Sequence, residues 1–359
     1  MQLIATQEML DQAAGTLGGN KTLRIVSYGK DADFAELGWL ERLLPGKRVE
    51  VVCDSSQTEV FANSIVCSRP NNLRPELLRA IAKTPGVILY HISDEWYLDP
   101  LDNYQYFAHV IRNYYHTGLN GSGVSHFPLG PCHCSQRAFS RAASERKYVW
   151  SFAGQLASTR RSLVNCLKDI IPNRIHVTGG VRRPQPPISP DEYLDLLGNS
   201  IFVPCGMGNV NLESFRIYEA LECGAIPIVE RRPWLDYFTL LLGPHPLPSV
   251  NCWADAPVLM RNLLSEPRRL NQKQAKIRIW WENLQKGLSQ RMARILNNVP
   301  TQPHSTSPAR GFPGRLRGAF EMLKHHDAVA IRARALLTLK RAIQWNSCTP
   351  RNFLSVCTK

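Results

Sequence analysis

Ile201-Phe-Val-Pro-Cys-Gly-Met-Gly-Asn-Val-Asn-Leu-Glu-Ser-Phe-Arg-Ile-Tyr-Glu-Ala-Leu-Glu-Cys-Gly-Ala-Ile-Pro-Ile-Val229 reads as strand, glycine loop, helix, glycine, strand. Ser200–Pro204 is an apolar run too short for a helix. Leu212–Cys223 carries the strongest helical periodicity of the chain, and Gly224 sits where a helix C-cap belongs. Ala225–Val229 is the strand that follows. Strand, helix and strand in this order form a βαβ unit, which demands a parallel sheet.

The same rhythm extends to both sides. Upstream, Tyr148–Ala153 is a strand closed by Gly154, Thr159–Ile171 a helix ending near Pro172, and Arg174–Thr178 a strand. Pro184–Pro190 holds four prolines and reads as a loop before a short helix, Asp191–Gly198. Downstream, residues 257–298 look helical throughout. The first half follows a short N-terminal helix with a strand at Leu23–Tyr28, ending at Gly29. A helix at Ala32–Leu44 comes next, with Asp31 as its cap and Pro45-Gly46 as its stop. Val49–Cys53 is a strand, Asn71–Lys83 a helix and Gly86–Ile92 a buried strand. Tyr106–His116 reads as helical before a glycine-rich loop, 117–134. Two successive α/β halves, with the switch near 135–147, predict two Rossmann-like domains facing a cleft.

The chain has 359 residues and a net charge of +14, of which 301–359 hold +8 on ten Lys/Arg and two Asp/Glu. The body is therefore mildly basic, and no basic stripe with interleaved aromatics points to nucleic acid. Residues 299–316 read as a linker and 317–345 as a basic helical tail, with peripheral contact to anionic surfaces as one role for it. The charge-free run Asn113–Gln136 holds Asn, His, Gly and Ser, so it is not a membrane span. Ten scattered cysteines and a start without a charged and apolar leader predict a reduced, cytoplasmic setting. Cys132-His-Cys134 is spaced too tightly for a zinc chelate and reads as an incidental loop feature, so no metal is expected.

The chemistry centres on the glycine loop. Gly206-Met-Gly208 allows close backbone approach to a ligand, and Asn209, Asn211 or Ser214 can satisfy or supplement the free N–H groups of the following helix. Such a helix start suits a phosphate, because amides and dipole both favour an anion. Asn211 stands where a dinucleotide fingerprint has its last glycine, which disfavours a nicotinamide enzyme. Arg216 and Glu219 are three apart and share a helix face. There the cation can neutralise a diphosphate and the carboxylate can accept both hydroxyls of a ribose. A surface ion pair, worth a few tenths of a kcal/mol, is the plainer alternative.

Glu213–Val229 resembles the signature of exostosin-type glycosyltransferases, shared by ribitol xylosyltransferase-like proteins. Ser151-Phe-Ala-Gly154 followed by Arg160 and Arg161, His91-Ile-Ser-Asp-Glu95 and Arg112-Asn-Tyr-Tyr115 support the resemblance, which covers about residues 86–298. It implies a GT-B architecture, with residues 1–140 on the acceptor side, 141–298 binding a nucleotide-sugar donor and 299–359 appended. It implies an inverting transfer from a UDP-linked donor to a carbohydrate or other hydroxyl acceptor, with no cofactor. Arg216 would contact the diphosphate, Glu219 the ribose, and Gly154 and Arg160 the opposing loop. The eight-residue glutamate spacing of retaining relatives is absent, since Glu213 lies six residues from Glu219 and nine from Glu222.

An inverting transfer needs a base for the acceptor hydroxyl. Asp94 and Glu95 follow an apolar strand, where loops line the crevice of a parallel sheet, and are the leading candidates. His126 is third, and His91 reads as a satisfied core histidine. For Asp94 the plainer role is a cap, for Glu95 a solvated surface residue. Ser158 or Thr159 would cap the helix that starts at Arg160, and one of Arg160 and Arg161 would face the cleft. Trp96, Trp150 and Trp234 could stack on sugar or pack. Two rival functions stay open: a non-catalytic nucleotide-sugar or glycan binding protein on the same shell, and a surface-binding role for residues 310–345.

Overall fold

The computed structural model describes residues 22–301 apart from 29–34, 45–48, 55–58, 71, 98, 117–118, 120–122, 134–140 and 179–185. The expected N-terminal helix, Asp31, the Pro45-Gly46 stop, Cys134, and the tail beyond 301 lie outside the described residues.

Two parallel sheets follow one another. The first runs β2-β1-β3-β4-β5-β6, built from β1 (Leu23–Tyr28), β2 (Val49–Asp54), β3 (Ile65–Ser68), β4 (Ile88–His91), β5 (His109–Arg112) and β6 (Val124–His126). Helices α1 (Ala35–Arg42) and α2 (Pro75–Ile81) connect its strands. The second runs β11-β10-β9-β7-β8, from β7 (Tyr148–Gly154), β8 (Asn173–Val177), β9 (Ser200–Cys205), β10 (Ile226–Glu230) and β11 (Ser249–Val250). Its helices are α3 (Arg160–Leu167), α4 (Pro190–Gly198), α5 (Phe215–Glu222), α6 (Tyr237–Leu242), α7 (Ala256–Leu264) and the 31-residue α8 (Pro267–Asn297). All the strand pairs are parallel, so helices cover both faces and the central strands are buried along their whole length, as β4 and β9 are.

Local rules account for most boundaries. Pro190 opens α4 at its first turn, and Ser189 and Glu192 form a reciprocal capping box. Gly224 ends α5 at φ +63°, a conformation glycine adopts freely. The predicted helix at Tyr106–His116 is corrected: a 3₁₀ turn over Leu101–Tyr106 leads into β5. Val110 and Ile111 are both buried, on opposite faces of a strand between β4 and β6, and that two-sided burial outweighs the helical pattern. β3, only four residues long, went unpredicted, and the continuous helix over 257–298 breaks between Leu264 and Pro267.

One apolar cluster spans both sheets, and a second covers the other face of the first sheet. The seam between the halves is aromatic. Trp39 of α1 stacks on Trp281 of α8, with centroids 5.8 Å apart and planes at 12°. Gly130, at φ +71°, lies so close that a Cβ there would fall 2.3 Å from the Trp39 ring. Arg42 pairs with Glu222 at 3.0 Å, and Arg291 of α8 donates to the His126 carbonyl at 3.1 Å.

Candidate functional site

In the second sheet, the chain leaves β7 for β8 on one side and returns with β9 on the other. The β7/β9 boundary is therefore its switch point, where the two following loops diverge and leave a crevice at the carboxyl ends of the strands. Those loops carry the singled-out residues: Gly154 to Arg160 after β7, and Gly206 to Ser214 after β9.

Two guanidinium groups meet there. Arg216, in the first turn of α5, donates from Nη2 to the Ala153 carbonyl at 2.6 Å and lies 4.9 Å over the Phe152 ring. Gly154, at φ +139°, admits it, for a Cβ would approach Nη2 to 2.7 Å. Arg160, at the start of α3, donates from Nε to the Met207 carbonyl at 3.0 Å. A Cβ on Gly206 would press on the Arg160 side chain at 3.0 Å. Burial, then the charge of Arg216, lowers Arg160 to about 10, so it stays cationic at neutral pH. Neither arginine has an ion-pair partner among the described residues. Ser214 holds the N-cap position of α5, yet its hydroxyl makes no cap bond. That oxygen and Arg216 Nε are buried with no hydrogen-bond partner among the described residues. Arg161 is exposed.

Glu219 lies one turn further on. It is buried, accepts from the Tyr193 hydroxyl at 2.7 Å and faces His133 Nδ1 at 3.4 Å. The surface ion pair considered for Arg216 and Glu219 does not form.

The loop itself is clasped from the first sheet. Glu95 Oε1 accepts from the Val210 and Asn211 N–H groups at 2.8 and 3.0 Å, and Oε2 accepts from the Asn209 amide at 2.9 Å. Glu95 is thus buried, correcting the solvated surface position read as its plainer role. Gly208 is required by this closeness, since a Cβ would stand 2.4 Å from Glu95 Oε1. Asn209 serves the clasp, and Asn211 bonds the Tyr97 hydroxyl and the Glu213 N–H, so neither supplies the amides of α5 as expected. Asp94 is enclosed as well: Arg112 reaches Oδ2 at 3.4 Å and also donates to Tyr104. His91 joins this network through Tyr104 at 2.7 Å and Asp99 at 3.0 Å, a satisfied core histidine. His126 accepts from the His116 N–H, and burial, with Arg112 and Arg291, lowers it to about 3. It is neutral in the folded protein.

Two buried acidic neighbours of the site escaped the sequence reading. Glu213 accepts from the Leu129 N–H at 2.8 Å and from the Tyr218 and Tyr237 hydroxyls, joining the two halves. Burial raises its carboxyl to about 7. Glu230 pairs with Arg232 and accepts from Thr159 and Trp253, so Thr159 caps nothing; Ser158 lies outside α3 at φ +55°. Both acidic residues sit beside a parallel strand's carboxyl end or a helix start, the one signal that could have found them. Trp150 is core, Trp96 half-buried against it, and Trp234 exposed.

The family model described as the RXYLT1 C-terminal domain matches residues 132–299. Ribitol-5-phosphate xylosyltransferase 1 of Mus musculus is 29% identical over 151 residues, 39% of this chain and 34% of the relative. The Homo sapiens protein matches at the same identity over the same length. The matched stretch is about a third of these curated relatives. Among solved structures, an α1,3-fucosyltransferase superposes with a TM-score of 0.51 at 12% identity, covering 82% of this chain and 95% of that one. Anabaena HepE, in complex with UDP and glucose, superposes at 0.50 and 10% identity, covering 77% and 99%. The two parallel-sheet halves thus share the fold of these solved structures, and residues 132–299 are similar to the C-terminal domain of a xylosyltransferase.

Proposed function

We propose that this chain transfers a sugar, with inversion, from a UDP-linked donor to a carbohydrate or other hydroxyl acceptor. One observation carries the reading: Arg160 and Arg216 converge at the β7/β9 switch point with no carboxylate at ion-pair distance among the described residues, the charge of Glu95 being felt by Arg160 only from further off. Two half-buried cations beside a helix start call for an anion of more than one charge, and a diphosphate supplies it. Glu219 receives the ribose hydroxyls in exchange for His133, and the Ser214 hydroxyl donates to a phosphate oxygen. The arginines then stabilise the charge that develops on the departing diphosphate. Of the two base candidates, Glu95 is the better placed, because it faces the loop at Gly208 whereas Asp94 is shut behind Arg112.

Thermal shift with UDP, GDP and UDP-sugars tests the site. A diphosphate raises the wild-type midpoint by mass action, and Arg216→Ala and Glu219→Ala weaken its binding at least tenfold. No response of the wild type to any of these nucleotides would sink the proposal. The binding-protein reading draws on one fact, that Asp94 and Glu95 both spend their oxygens on internal contacts. Release of UDP in the presence of acceptor glycans decides between the two.

A further inference from the structure

Cys132 and His133 sit just after the last strand of the first sheet, on a connection whose own spacing cannot chelate a metal. Folding adds the missing ligand from α5. A Cys132 sulfur, a His133 ring nitrogen and a Glu219 carboxylate oxygen all lie within 4.8 Å of one another. His133 Nδ1 and Glu219 Oε1 are 3.4 Å apart, yet Nδ1 is buried and makes no hydrogen bond among the described residues. Tetrahedral zinc, with bonds of roughly 2.0–2.3 Å, sets neighbouring donor atoms about 3.3–3.7 Å apart. The nitrogen and oxygen already stand at that separation, and the sulfur lies within 4.8 Å of both.

We propose that Cys132, His133 and Glu219 bind a divalent cation of the zinc class. Thiolate, imidazole and carboxylate together suit zinc and its spectroscopic substitute cobalt, and not magnesium or calcium. A supporting shell is present: the Tyr193 hydroxyl donates to the other Glu219 oxygen at 2.7 Å, and its ring meets His133 edge-on at 6.2 Å. Three protein ligands leave a fourth position for water or a further donor. Because Glu219 is also the carboxylate assigned to the ribose, metal and nucleotide exclude one another; this consequence alone rests on the proposed function.

Titration of the full chain with Co²⁺ tests the site. Wild type develops a thiolate-to-cobalt charge-transfer band and tetrahedral visible bands at one equivalent, and Zn²⁺ abolishes them. Cys132→Ser removes the charge-transfer band, His133→Ala and Glu219→Gln weaken binding at least tenfold, and Cys252→Ser, at an exposed cysteine elsewhere, leaves the spectrum unchanged. Thermal midpoints of the variants confirm that they fold. Absence of the band in wild type, or its persistence in Cys132→Ser, overturns the proposal and leaves His133 and Glu219 as a close contact only. A band that survives saturating UDP keeps the metal site and counts against the ribose role of Glu219.

Discussion

Glu213 shows what one residue contributes that no local pattern announces. It is wholly buried, its three partners come from Leu129, Tyr218 and Tyr237, and burial lifts its carboxyl from 4.5 to about 7. Between these two values the folded state holds more protons than the unfolded one, so stability falls as pH rises through that window and levels off above it. The shift corresponds to on the order of 3 kcal/mol. His126, lowered to about 3, acts in the opposite sense, its folded form losing stability as pH falls below 6.5. Comparison with Glu213→Gln isolates the glutamate. Relative to that variant, wild type should lose stability steadily from pH 4.5 to 7 in urea denaturation. Parallel pH profiles would show that Glu213 does not titrate in this window. Arg216 and Glu219 were legible because helical spacing puts them on one face. Glu213, Glu230 and the burial of Glu95 were not, because the partners that enclose them, Leu129 and Tyr237, Thr159 and Trp253, and residues 209–211, lie far away in sequence.

At the scale of elements, the Gly206–Asn211 loop is shaped by a carboxylate from the other sheet. Glu95 accepts two backbone N–H groups and one side-chain amide, and Gly208 leaves it room. Gly208→Ala puts a methyl 2.4 Å from Glu95 Oε1, with the Glu213 carbonyl at 3.0 Å behind it. Crowding of this kind costs about 1–3 kcal/mol. In the background of Glu95→Ala the same substitution should cost measurably less, since the nearest obstacle is gone. A double-mutant cycle by urea denaturation reads the coupling; additive effects would show that the clasp does not set the loop's path. The motif's strand–loop–helix order was readable because glycine and periodicity mark its ends. β5 was misread and β3 missed, since strands of four residues lack a period long enough to compete with a helical pattern.

For the whole molecule, the relation of the two sheets depends on α8, which belongs by sequence to the second half and packs against both. Trp281 is the hinge of that contact: its ring stacks on Trp39 and lies 5.8 Å from Tyr218, and its Nε1 donates to Glu222, which Arg42 also holds. Its neighbour Trp280 points another way, half-buried with Nε1 on the Pro244 carbonyl, within the second half. Replacing a buried tryptophan by alanine costs roughly 3–5 kcal/mol, and here it also removes the stack on Trp39 across the seam. Trp281→Ala should therefore destabilise strongly and also weaken nucleotide binding, because Glu95 reaches its loop only while the sheets hold their places. Trp280→Ala should cost well under half as much and leave nucleotide affinity within twofold. Urea denaturation and UDP titration of both variants measure this, and equal effects of the two would mean that α8 serves the second half alone.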